Sequence, residues 1–353
     1  MKNKKGNWCN FPLGEAMKQL VVKEIESGQR LDKFLGKYLK EAPKSFLYKM
    51  LRKKNITLNG KKATGNEKLQ PNDEIKLFLS DDTLEKFCGE EKSSSRTELD
   101  IVYENNHVLF VNKPVGMLSQ KAEKEDVSLV EYITGYLLEE KFLTKEDLRT
   151  FRPGVCNRLD RNTSGIVAAG KTVQGLQEMS QWFKERNLHK YYLTLVKGKV
   201  ERPAHVKGYL WKDEKKNKVA VFPEKREGSL PIETKYEPLG ISKNGDTLLK
   251  VELLTGRSHQ IRSHLAGLGH PVIGDWKYGS KEKNENFRKK YGIEFQLLHA
   301  WKLSFPKTEG ILKELSLKTI TADVPEKFQK ALKGEGLLEF TSEKNKGDVK
   351  KHE

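Results

Sequence analysis

Cysteine is scarce in this 353-residue chain: Cys9, Cys88 and Cys156 are its three thiols. They form no C-x-x-C pair, and an odd number cannot close a complete disulfide framework, so reduced thiols and a cytoplasmic location are expected. Long hydrophobic runs are missing as well. No stretch approaches the roughly 18 consecutive apolar residues of a membrane span, and no amphipathic helix stands isolated at an end, so no membrane partner is expected. The start, Met1-Lys2-Asn3-Lys4-Lys5, is basic but runs into Gly6-Asn7-Trp8-Cys9-Asn10 without an apolar core behind it, and no secretory signal is read there. The histidines lack metal-site order. His259 and His264 are five apart, not at the i, i+4 spacing of a helical zinc site, and no acid lies between them, so the expected metal count is zero.

Acidic residues are outnumbered, 49 Asp and Glu against 66 Lys and Arg, which leaves a net charge of +17. The excess is spread along the chain, and a polyanion is the natural partner for such a surface. The length allows two domains, one of them with a sizeable core. Between Gln29 and Leu79, Leu31, Phe34, Leu35, Tyr38 and Leu39 recur at helical spacing; Phe46, Leu47, Met50 and Leu51 give a second short helix. Ile56-Thr57-Leu58, the Asn59-Gly60 turn and Lys61-Lys62-Ala63 then read as a hairpin. Lys44, Arg52, Lys53 and Lys61, with Lys49, Lys54 and Lys62 beside them, set positive charge where a phosphate backbone could cross. Any one of these lysines alone would be an ordinary solvated residue.

The expected division is an extension at 1–27, a small module at 28–80, an acidic and serine-rich linker at 81–98, a main domain at 99–332 and a basic, disordered tail at 333–353. The linker leaves the module free to reorient. In the main domain, Ile101 to Glu104 pairs with Val108 to Asn112; Leu129 to Leu138 and Val173 to Phe183 are helical, and Tyr191 to Val196 and Thr247 to Leu253 are strands. An α+β fold with a largely antiparallel central sheet follows. The lysine- and glutamate-rich stretches near 212–227 and 280–290 read as surface loops.

Two motifs carry chemistry. The run Asn157-Arg158-Leu159-Asp160-Arg161-Asn162-Thr163-Ser164-Gly165 sets one carboxylate between two guanidiniums, which makes Asp160 a candidate nucleophile. By itself it is equally a strand end whose Asp pairs with a neighbouring Arg. About a hundred residues later comes Thr255-Gly256-Arg257-Ser258-His259-Gln260-Ile261-Arg262-Ser263-His264-Leu265, closing with Gly269-His270-Pro271-Val272-Ile273-Gly274-Asp275.

Together these motifs resemble the RluA-type pseudouridine synthases of ribosomal RNA. The Arg30-Leu31-Asp32-Lys33-Phe34-Leu35 start and the Ile56 to Gly60 hairpin resemble the alpha-L RNA-binding module often fused ahead of them. The resemblance implies a pseudouridine synthase fold with a mixed, mostly antiparallel sheet, and isomerisation of specific uridines without cofactor or metal. The implied substrate is RNA, large-subunit ribosomal RNA before transfer RNA, met by a monomer. The implied catalytic residues are Asp160 as the essential carboxylate, Arg262 as the cation that keeps it ionised, and Tyr192, from Lys190-Tyr191-Tyr192, as the aromatic against the flipped base. Arg158 would fill the space that the base leaves. Arg257 competes with Arg262 for the ionising role or holds phosphate, Lys113-Pro114-Val115-Gly116 lies beside the cleft, and His299 is structural. Asn157 stands where the family more often has His. The competing reading is an RNA-binding ribosome assembly factor with this fold and no turnover.

Overall fold

The computed structural model describes residues 17–88, 98–123, 125–213 and 218–341. The N-terminal module consists of β1 (Met17–Val21), α1 (Leu31–Tyr38), α2 (Lys44–Arg52), β2 (Ile56–Leu58), β3 (Lys61–Lys62), β4 (Glu74–Phe78) and α3 (Asp81–Cys88). Its sheet runs β1-β4-β2-β3. The helical spacing seen in the sequence buries Leu31, Phe34, Leu35 and Tyr38 of α1 against Leu47, Met50 and Leu51 of α2. Asn59 and Gly60 both take positive φ, as a tight two-residue hairpin requires.

Three features of this half depart from the sequence reading. Residues 17–21, drawn as part of an extension, form an edge strand along β4. Their side chains are almost all exposed, so no alternation announced the strand. The first residues of the linker form α3, with Asp81 and Asp82 in its first turn, where the helix dipole favours acids, and with Phe87 against Phe46 at 4.9 Å between ring centroids. Finally, the module is tied to the rest of the chain instead of swinging from it. Lys23 Nζ meets Asp147 Oδ1 at 2.6 Å, Gln174 donates to Ser27 Oγ at 2.7 Å, and Thr150 donates to buried Glu26. Cys9, Ser93 to Ser95 and the tail from 342 lie outside the described residues.

The second half contains β5 (Ile101–Glu104), β6 (Val108–Lys113), α4 (Leu129–Glu139), β7 (Gly154–Val155), β8 (Ser164–Gly170), α5 (Val173–Glu185), β9 (His189–Val196), β10 (Ala204–Asp213), β11 (Lys218–Phe222), β12 (Leu230–Ile241), β13 (Thr247–Leu253), α6 (Gln260–Gly267), α7 (Lys281–Tyr291), β14 (Leu298–Ser304), β15 (Thr319–Thr321) and α8 (Glu326–Gly334). One sheet of 11 strands follows the order β11-β10-β12-β13-β9-β14-β8-β6-β5, with β15 on β14 and β7 on β8. Among the described strands only β8 and β14 pair in parallel, so the expected α+β fold with a mostly antiparallel mixed sheet is what is seen.

Side chains alternate across β9. Tyr192 and Val196 enter the core shared with α4 and α6, while Leu193 and Leu195 enter the core covered by α7 and α8. The stretches read as surface loops are therefore structural. Residues 281–291 form α7, which starts after Ser280, ends on left-handed Gly292 and buries Asn284, Phe287 and Tyr291. With only three buried positions in eleven, its charge hid its periodicity. Residues 212–227 include the end of β10 and all of β11. Order also continues past 332: Leu337 is buried, and Glu335 accepts hydrogen bonds from Tyr291, Lys290 and Asn244.

Candidate active site

The segment carrying Asp160 lies between β7 and β8 and is held through its backbone. Asn157 donates to Ile166 O at 3.2 Å and accepts from Ala168 N at 2.8 Å, so its amide extends the β8 ladder much as another peptide would. Ser119 Oγ accepts from Leu159 N at 3.0 Å and donates to Leu159 O at 3.1 Å. Buried Lys113, at the end of β6, donates to Pro114 O, Met117 O and Arg161 O at 2.9, 2.9 and 3.1 Å. Carbonyl oxygens only accept, so all three contacts require the ammonium form. Burial pushes this amine down to about 7 against the charge of Asp160, so the clamp has little margin near neutrality. Gly165 has φ +112°, and a Cβ there would come within 2.2 Å of Ala300 O. Only glycine lets the segment close on β14.

Two titratable groups at the start of α6, Arg262 and His259, face Asp160. Arg262, in the first turn of α6, donates through Nη1 to Asp160 Oδ2 at 2.8 Å. Its remaining edge forks onto Asp275, with Nε to Oδ2 at 2.7 Å and Nη2 to Oδ1 at 3.0 Å. Asp275 is fully buried and also accepts from the backbone of Lys277 and Tyr278. Burial alone would lower Arg262, but Asp275 and then Asp160 outweigh it and hold the guanidinium firmly charged. His259 Nε2 lies 3.9 Å from Asp160 Oδ2, with left-handed backbone at the start of α6. Burial pushes its imidazole below the usual range, so the ring is neutral at pH 7. Tyr278 Oη accepts from Val219 N at 3.0 Å and meets His259 Nδ1 at 2.9 Å. If Tyr278 donates to that nitrogen, the proton sits on Nε2 and faces the carboxylate, which avoids setting a lone pair against it.

A cavity of about 960 Å³ opens over these groups. Its described lining holds eight Lys and Arg side chains and one carboxylate, Asp160. Asp160, Tyr192, Arg262, Arg158 and Arg257 all reach it. Arg262 is buried against Asp160, whereas Arg257 is exposed and has no carboxylate partner among the described residues. Tyr192 is 8% exposed; burial, and then the charge of Asp160, raise its phenol far above the ordinary value and keep it protonated. Cys156 also lines the cavity, but burial pushes its thiol up to about 12, so it offers no thiolate. Lys44, Arg52, Lys53 and Lys61 are exposed on the N-terminal module and do not line the cavity. His299 is fully buried between Ser164 and the Ala322 carbonyl, where burial lowers it to about 4.

The sequence places Lys113 beside the cleft and carries His259 and Asp275 within the second motif, but gives neither of the latter two a part in the site. Sequence reasoning passed over Tyr278. The available signal was Asp275 itself, an acid directly after a glycine turn in a stretch rich in cations.

Residues 107–267 match the family described as RNA pseudouridylate synthase, and residues 29–75 match the S4 domain. A ribosomal large subunit pseudouridine synthase C of Pasteurella multocida is 30% identical over 312 residues, covering 85% of this chain and 90% of the relative. An uncharacterised RNA pseudouridine synthase of Mycoplasma genitalium is 33% identical over 304 residues, covering 83% and 90%. Among solved structures, human RNA pseudouridylate synthase domain containing 4 matches with a TM-score of 0.53 at 20% identity, over 68% of this chain and 92% of that one; this likeness speaks for the fold.

Proposed function

This chain belongs to the RNA pseudouridylate synthase family, RluA type, and on that footing we propose that its substrate is large-subunit ribosomal RNA. It is an isomerase that converts uridine to pseudouridine in RNA. The C1′–N1 bond breaks, the base turns, C5 bonds to C1′, the C5 proton leaves and N1 takes up a proton, so the composition is unchanged. In our reading Asp160 is the nucleophile, adding to the base or acting at the sugar, and Arg262 keeps it ionised. Tyr192 packs on the flipped base and Arg158 fills the gap in the stack. The observation that carries this is one accessible carboxylate, alone among the described residues lining a cationic cavity, gripped by a guanidinium that a second, buried carboxylate holds in place. Mapping pseudouridines in total RNA from cells with and without the gene tests the substrate. Loss of sites in transfer RNA alone would overturn the ribosomal assignment. Action as a monomer in the cytoplasm completes the reading; among the described residues no helix is long and apolar enough to cross a membrane.

Tyr192 Oη makes no hydrogen bond among the described residues, so its ring should matter more than its hydroxyl. Tyr192→Phe should keep its rate within about tenfold, whereas Tyr192→Ala should lose far more and cost about 3–5 kcal/mol of stability. Tritium release from RNA labelled at uridine C5 reads the first effect, and urea unfolding reads the second. A Phe variant as inactive as Ala would give the hydroxyl a chemical part that this reading denies it.

We take the N-terminal module as a grip on the RNA backbone. Lys44, Arg52, Lys53 and Lys61 are exposed and free of carboxylate partners among the described residues. Replacing all four with Ala should weaken binding to a folded ribosomal RNA fragment and lower the slope of log K against log salt by up to about 3. An unchanged slope would remove the module from the binding surface.

A further inference from the structure

Lys190 is the second residue of β9 and, two positions before Tyr192, faces the same side of the sheet. Its side chain lines the catalytic cavity although the residue is only 9% exposed. No hydrogen bond or carboxylate reaches its ammonium from the described residues. Instead, its surroundings are cationic. Arg186, the left-handed cap of α5, stands beside it. The position a Cβ would take on Gly256 is 3.9 Å from Lys190 Nζ, and Arg257, next in the chain, lines the same cavity. The one carboxylate among the described residues of the cavity, Asp160, is already engaged by Arg262.

A buried ammonium with no counter-ion is unfavourable in the free protein and is retained where a ligand supplies the missing charge. We propose that Lys190, with Arg186 beside it and Arg257 in the same cavity, holds a backbone phosphate of the RNA strand close to the target uridine. Two residues along a strand span about 7 Å, so an anion at Lys190 lies beside a base packed on Tyr192. Burial, and then Arg186, push the Lys190 ammonium down to about 8, as expected of a charge still lacking its partner. The site rests on the RNA isomerase reading for the identity of its ligand, but its charge balance stands on the cavity alone.

Lys190→Met keeps the length of the side chain and removes the charge. Its melting temperature should be at or above that of the wild type, since no native partner is lost; a clear fall would mean that the ammonium already has a structural counterpart and would overturn the proposal. Binding of a short oligouridylate should weaken about tenfold and the salt slope should drop by about 0.7, the value for one phosphate of a single strand. Lys190→Arg should restore most of both. Equal affinity and slope for wild type and Lys190→Met would sink the phosphate site. Failure of the wild type to make pseudouridine, with the binding losses still present, would instead remove the isomerase reading and leave the phosphate site standing.

Discussion

Asp160→Asn should abolish isomerisation, by at least about 10⁴-fold, while the protein folds normally and binds RNA at least as well as before. The amide oxygen can still accept from Arg262 Nη1, which lies 2.8 Å from Oδ2, so the local geometry has no reason to change. What vanishes is the one carboxylate among the described residues of the cavity. Losing a negative charge among eight cations makes the surface more attractive to a polyanion, so affinity should hold or rise slightly. The neutral, protonated Cys156 cannot substitute. Tritium release from C5-labelled RNA measures turnover, and a filter-binding titration measures affinity. Appreciable release by the variant would remove Asp160 as nucleophile; lost affinity would make it a binding residue.

Arg262→Ala should be the most damaging substitution for stability. It strands Asp275, which is fully buried, as well as Asp160, and breaking a buried pair costs about 3–5 kcal/mol because the remaining charge is uncompensated. Urea unfolding should show this directly. The double variant Arg262→Met with Asp275→Leu replaces both buried partners with apolar groups and should recover most of the stability, since such exchanges are often neutral. It should recover no activity, because Asp160 remains without its cation. A double variant that regained turnover would mean that Arg262 only supports the fold. Arg257→Ala should leave stability alone and raise the RNA concentration needed, as befits an exposed cation.

Much of this fold was legible because periodicity and burial agree in it. The helix read at Leu129 to Leu138 is observed as Leu129–Glu139, and the strand read at Thr247 to Leu253 has those bounds. The elements that escaped notice bury little side chain. β1 is held by backbone pairing along β4, and α7 presents three buried residues among eight charged or polar ones. Asp160, Tyr192 and Arg262 were chosen from their motifs, and all three line one cavity. Asp275 could be quoted but not paired, because its link to Arg262 depends on how a turn folds back on α6. Lys190 was seen only as a neighbour of Tyr192. That its ammonium lacks a partner is a property of the assembled walls, and no local pattern records it.

The position of β14 sets when this site comes into being. It lies between β9 and β8, so without Leu298–Ser304 the sheet is two separate pieces, β11-β10-β12-β13-β9 and β8-β6-β5. Tyr192 belongs to the first piece, Arg262 follows its strand β13, and Asp160 leads into the second. A chain growing from its N-terminus therefore carries every proposed catalytic side chain before it carries the strand that joins the two pieces of the sheet. Pairings this distant in sequence form late and slowly. Until Leu298–Ser304 is in place, the strands on either side of the proposed site have no sheet in common.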